Sequence, residues 1–139
     1  MKKLFTLFSA LMVVLVISAC TNLMQQNADI GTVEGTLAYR ERVALPANAR
    51  ITVTLADVSK MDASAEVISQ QTFLADGQQV PFAFQLDFMK DEIKPNHTYA
   101  VSARIEVGDK LYFITDTRNA VLTDPAATTK LDIRLVKTN

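Results

Sequence analysis

An all-β chain, folded as an antiparallel β-sandwich of about seven strands, is what this sequence predicts. Three observations carry it. Apolar residues alternate with polar ones at period two in segment after segment, the signature of strands with one face on a core and one in water. Turn-forming pairs separate those segments at spacings of a sandwich. No helical pattern of useful length lies between them, which disfavours a parallel α/β sheet.

The elements follow in order. In TVEGTLAYRER, Val33, Leu37 and Tyr39 fall on one face against Thr32, Glu34, Thr36, Arg40 and Arg42. In ARITVTL, Ile51, Val53 and Leu55 alternate with Arg50, Thr52 and Thr54. EVISQQTFLA is a weaker strand, because Gln70 and Gln71 put polar groups on both faces. PFAFQLDF sets Phe82, Phe84, Leu86 and Phe88 against Ala83, Gln85 and Asp87. FMKDEIKPN holds room for one helical turn before Pro95. HTYAVSARIEV contributes Tyr99, Val101, Ala103, Ile105 and Val107, and Gly108-Asp109 then marks a tight hairpin into KLYFITD. KLDIRLV closes the set with Leu131, Ile133 and Leu135. Tyr99 is placed like the tyrosine of a tyrosine corner, whose hydroxyl ties down a crossover loop.

The start of the chain has a different logic. Lys2 and Lys3 precede a stretch from Leu4 to Ala19 without a charged residue. A basic start, a short apolar run and small residues before a cut site describe a secretory signal peptide, here residues 1–19. The run is shorter than the roughly 20 apolar residues a membrane-spanning helix needs. Ile17-Ser18-Ala19-Cys20 resembles the bacterial lipobox, an aliphatic residue and two small ones before cysteine. That resemblance implies cleavage before Cys20 and acylation of its thiol and new amino terminus. Each buried methylene contributes about 0.8 kcal/mol, and more than one chain is needed for stable anchoring. Thr21 stands where enteric lipoproteins retained at the inner membrane carry Asp, which implies the outer membrane, with the domain facing the periplasm. Residues 20–30 then read as a lipidated cysteine and a polar tether, and 31–139 as the β domain.

Composition excludes several functions. Loss of Lys2 and Lys3 takes the net charge from −1 to −3, with no basic patch to neutralise phosphates, so nucleic acid is not expected as a partner. Cys20 is the only cysteine and His97 the only histidine. CxxC, HExxH, an Asp-rich calcium loop and G-x-S-x-G are all absent from the sequence, and so is a glycine-rich phosphate cradle. No metal, no cofactor and no catalytic set is predicted. His97, beside Pro95 and Asn96, reads as a turn residue. KLYFITD is apolar on both faces, with Leu111 and Phe113 on one and Tyr112 and Ile114 on the other. Either the tether or a loop covers this strand on both sides, or Tyr112 and Ile114 form an exposed strip and are the candidates for contact with a protein partner.

GTVEGTLAYRERVALPANARITVTLADVS, with HTYAVSARIEV and LYFITDT, resembles the YbaY/YscW-type lipoprotein family, labelled type III secretion system lipoprotein chaperone or pilotin. The resemblance runs from about Gly31 to Val136. Its most specific pieces are Tyr39-Arg40-Glu41-Arg42 with Ala44-Leu45-Pro46, Asp57-Val58-Ser59 and Tyr99-Ala100-Val101. These are strand and turn residues, read as fold determinants, with Arg40 and Arg42 expected to pair with acids across strands. The resemblance implies an outer-membrane-anchored sandwich and, for pilotin members, the binding of a secretin subunit. Three readings stand at this level. One is a non-enzymatic protein-binding module, a chaperone for a secretin or another envelope protein. The second is a general envelope or structural lipoprotein of no defined ligand. The third is a glycan-acting envelope enzyme using carboxylates such as Asp87 and Glu92.

Overall fold

In the computed structural model, residues 29–61 and 63–138 are described. The predicted signal peptide, Cys20 and all but the last two residues of the tether lie outside them. Eight strands run β1 (Ile30–Tyr39), β2 (Arg50–Asp57), β3 (Glu66–Leu74), β4 (Phe82–Met89), β5 (Tyr99–Val107), β6 (Lys110–Ile114), β7 (Asn119–Val121) and β8 (Lys130–Lys137). A 3-10 turn at Lys90–Glu92 fills the place where a helical turn was expected. Apart from that turn the regular structure of the described residues is all-β, and Gly31–Asn139 forms one compact unit.

The strands follow the order β3-β2-β5-β6-β8-β1-β4, with β7 beside β5. The sheet curls until its two ends approach, so a single near-barrel encloses the core that two sandwich layers were expected to enclose. The ends close through side chains. Phe73 of β3 meets Phe82 of β4 edge-on, with ring centroids 6.0 Å apart. The Gln85 backbone N–H donates to Gln71 Oε1 at 3.0 Å, standing in for a ladder bond.

Pairing is antiparallel in β2–β3, β2–β5, β5–β6, β5–β7 and β6–β8, but β1 and β8 pair in parallel from Glu34↔Lys130 to Tyr39↔Leu135. That pair corrects the wholly antiparallel expectation. β1 and β8 are the first and last strands, so no hairpin dictates their relative direction. They approach closely: a Cβ at Gly35 would collide with the Leu131 carbonyl oxygen.

Alternation is strictest in β4, whose Phe82, Phe84, Leu86 and Phe88 are buried while the residues between are exposed. β2 departs from it. Lying between β3 and β5, it buries Thr52 and Ala56 as well as Ile51, Val53 and Leu55. Gln70 of β3 donates to the Thr54 hydroxyl across that outer face at 3.0 Å. Val107 pairs with Lys110 around Gly108-Asp109, with Gly108 at φ +60°, as a II′ hairpin requires of its first central residue. In the core Tyr39 and Phe113 stack at 4.1 Å, joining β1 to β6 across β8.

Candidate protein-binding surface

β6 owes its unusual surface to one extra residue. Ile105 pairs with Phe113, but Glu106 pairs with Leu111, so Tyr112 is a bulge in the ladder. Phe113 keeps its side chain in the core, 1% exposed, whereas Leu111 and Tyr112 are 43% and 39% exposed. The expectation that Leu111 shares a face with Phe113 fails at this bulge. Tyr112 lies on the surface as the sequence suggested, and Leu111 joins it. Ile114 is half-buried.

The ladder shows what surrounds Ile114. It stands opposite Arg104 on β5 and Val136 on β8, while Arg134 stands opposite Ala38 on β1. Their chain neighbours Ile105, Phe113, Leu135 and Leu37 are buried, so these residues face outward. The result is an apolar strip, Ile114 and Val136, with arginines around it. Arg104 is held by Glu106 at 2.6 Å. Arg40 and Arg134 form no ion pair among the described residues, nor does Arg42, so the predicted pairing of Arg40 and Arg42 is not made. Both follow the buried end of β1, where the chain bends away and no acidic strand residue lies opposite.

A recess of about 370 Å³ opens beside this strip, lined among others by Arg40, Glu41, Asp116, Arg134 and Val136. Glu41 Oε2 is buried with no hydrogen-bond partner among the described residues. Burial, then the negative charge of Glu41, raises the Tyr39 hydroxyl pKa. That hydroxyl donates to the Val43 carbonyl at 2.7 Å.

The polar groups at the β2–β5 corner are disposed differently. Ser59 donates its N–H and hydroxyl to Asp57 Oδ1 at 3.0 and 2.6 Å, and its own oxygen accepts from the Thr98 N–H at 2.7 Å. His97 Nδ1 lies 2.6 Å from Asp57 Oδ2. The bond to His97, then those from Ser59, pull the Asp57 carboxyl from 3.8 down to about 2. The Thr123 hydroxyl donates to the His97 carbonyl at 2.6 Å. Tyr99, 1% exposed, accepts from the Lys94 N–H at 2.9 Å and donates to the Glu92 carbonyl at 3.3 Å. It therefore works as the predicted corner. The Asp57–His97 pair has the base and orienter of a triad, but the Ser59 hydroxyl is bonded to the carboxylate and the Thr123 hydroxyl to the His97 carbonyl, neither to the imidazole. Nothing in the sequence pattern brought Asp57 and His97 together; forty residues separate them, and strand register joins them.

Of the two carboxylates weighed for glycan chemistry, Glu92 ends the 3-10 turn and Asp87 accepts from Gln85 and Thr32 at 3.1 and 2.9 Å. The bond from Gln85, then that from Thr32, lowers its pKa. A general acid needs the opposite shift.

Residues 28–135 match the family model described as type III secretion system lipoprotein chaperone (YscW). The chain belongs to this family. It is 37% identical to the uncharacterized lipoprotein YbaY of Escherichia coli strain K12, over 96% of this chain and 79% of that protein. Among solved structures it matches an alternative pilotin from the type II secretion system of Vibrio cholerae. Identity there is 51%, with a TM-score of 0.77, covering 79% of this chain and 98% of the pilotin chain. The family model spans the corner and, on the apolar–arginine strip, Arg104, Ile114 and Arg134, ending one residue before Val136.

Proposed function

We propose that this protein is an outer-membrane-anchored lipoprotein that acts without catalysis, as a pilotin-like chaperone binding a secretin subunit. The observation that carries the reading is the 51% identity to a pilotin across nearly the whole of that chain. In this reading residues 1–19 are cleaved, Cys20 carries the lipid, residues up to 30 tether the domain, and residues 31–139 face the periplasm. The surface at Tyr112 and Ile114 contacts the partner. A catalytic role is disfavoured by the lowered pKa of Asp87, the wrong direction for a general acid, and by the Ser59 hydroxyl being bonded to Asp57 rather than His97.

Fractionating envelopes from a deletion strain tests this. Secretin multimers are expected to leave the outer membrane and accumulate in the inner one. Restoration is expected from the wild-type gene and not from Cys20→Ser. Normal secretin distribution without the protein contradicts the reading.

A further inference from the structure

We infer that the outward face of β6, β8 and the end of β1 is the docking surface, and that its occupant is an acidic, amphipathic polypeptide segment of the partner. This rests on the chaperone reading and adds the site and the chemistry it selects.

Three features of the face each ask for a different group. Half-buried Ile114 and Val136, opposed across β6 and β8, continue the apolar area that exposed Leu111 and Tyr112 present at the bulge. Removing that area from water favours an apolar side chain laid along the strip. Arg40 and Arg134 flank the recess without an ion pair among the described residues, and guanidinium groups suit bidentate contact with carboxylates. Glu41 Oε2, buried and unbonded, needs a hydrogen-bond donor, and a buried unsatisfied acceptor costs about 1–3 kcal/mol. A polypeptide segment supplies all three: apolar side chains, Asp or Glu, and a main-chain or amide N–H.

Position favours protein over lipid. The face lies at the Tyr39 end of β1, and a ten-residue strand separates it from Ile30. At roughly 3.3 Å per residue, that distance is about 30 Å from the point where the chain arrives from Cys20.

The test measures the affinity of detergent-solubilised full-length protein for the purified secretin subunit. Arg134→Glu and the double variant Tyr112→Ser with Ile114→Ser are compared with Val67→Ser with Leu74→Ser, exposed residues on β3. Arg134→Gln supports the reading of charge if its loss is smaller than that of Arg134→Glu. Hot-spot substitutions at a buried interface centre are expected to weaken binding roughly tenfold or more, and the β3 pair by less than twofold. Thermal melts establish that each variant is folded. Wild-type binding that survives both face variants overturns the site and leaves the chaperone reading intact. Absence of wild-type binding overturns both. In cells, a photocrosslinker, Ile114→p-benzoylphenylalanine, is expected to join the secretin subunit. Adducts with phospholipid alone would assign the face to lipid and overturn the proposal.

Discussion

The corner that joins β2 to β5 and the face around β6 and β8 are both rich in polar side chains, yet they use them in opposite ways. At the corner each polar group has a partner within the chain: Asp57 with Ser59 and His97, Ser59 with Thr98, Tyr99 with Lys94 and Glu92. On the face Arg40 and Arg134 have no ion pair and Glu41 Oε2 has no bond among the described residues, next to exposed Leu111 and Tyr112. Polar groups satisfied internally hold a fold together, and those left unsatisfied beside apolar surface are available to a partner. Substitutions at the corner should therefore move stability and leave binding alone, and substitutions on the face should do the reverse.

The largest effect is expected where both regions share a foundation. Gly35→Val forces a side chain against the Leu131 carbonyl, separating β1 from β8, and overpacking of this kind costs about 3 kcal/mol or more. Chemical denaturation should show that loss, with both regions failing together. Next comes Tyr99→Phe. It removes the hydroxyl that ties Lys94 and Glu92, and the Lys94 N–H then lacks its acceptor, for a loss of about 1–2 kcal/mol at unchanged affinity.

A smaller effect is written in pH. The Asp57 carboxyl is depressed in the fold, so its contribution is fully present above about 4, its ordinary range, and is lost as pH falls through about 2. Melting temperatures between pH 4 and pH 2 should fall for the wild type and fall less for Asp57→Asn. The smallest stability change belongs to Glu41→Gln. It replaces an unpaired buried carboxylate oxygen with a neutral amide, so melting is expected to hold or rise slightly while affinity for the secretin subunit drops.

Much of the corner and of the strand layout was legible in the sequence, and less of the face. Period-two patterning located β1, β2, β4, β5 and β8, the Gly108-Asp109 hairpin signal added β6, and β3, with polar groups on both faces, was the weakest of the seven strands read. β7 escaped because Asn119–Val121 is too short to alternate. The parallel β1–β8 pair and the curling of one sheet into a near-barrel are properties of strand order, which no local pattern encodes. Tyr99 could be read because a corner tyrosine follows its loop within a few residues. Asp57 and His97 could not, being joined only through β2–β5 register. On the face, KLYFITD announced itself by being apolar on both sides, and Tyr112 was correctly placed outside. The bulge that adds Leu111 was hidden, since an extra residue shows only against its partner strand. Arg40 and Arg42 looked like cross-strand ion-pair residues, because a sequence shows charges and not whether an acid stands opposite them.

One crossed measurement reaches the central claim most directly: melting temperature and secretin affinity of the full-length protein for Tyr99→Phe and for Arg134→Glu, side by side. The expected result is a lowered melting temperature with wild-type affinity for the first, and an unchanged melting temperature with affinity reduced roughly tenfold or more for the second. Equal affinities for the two variants would contradict it.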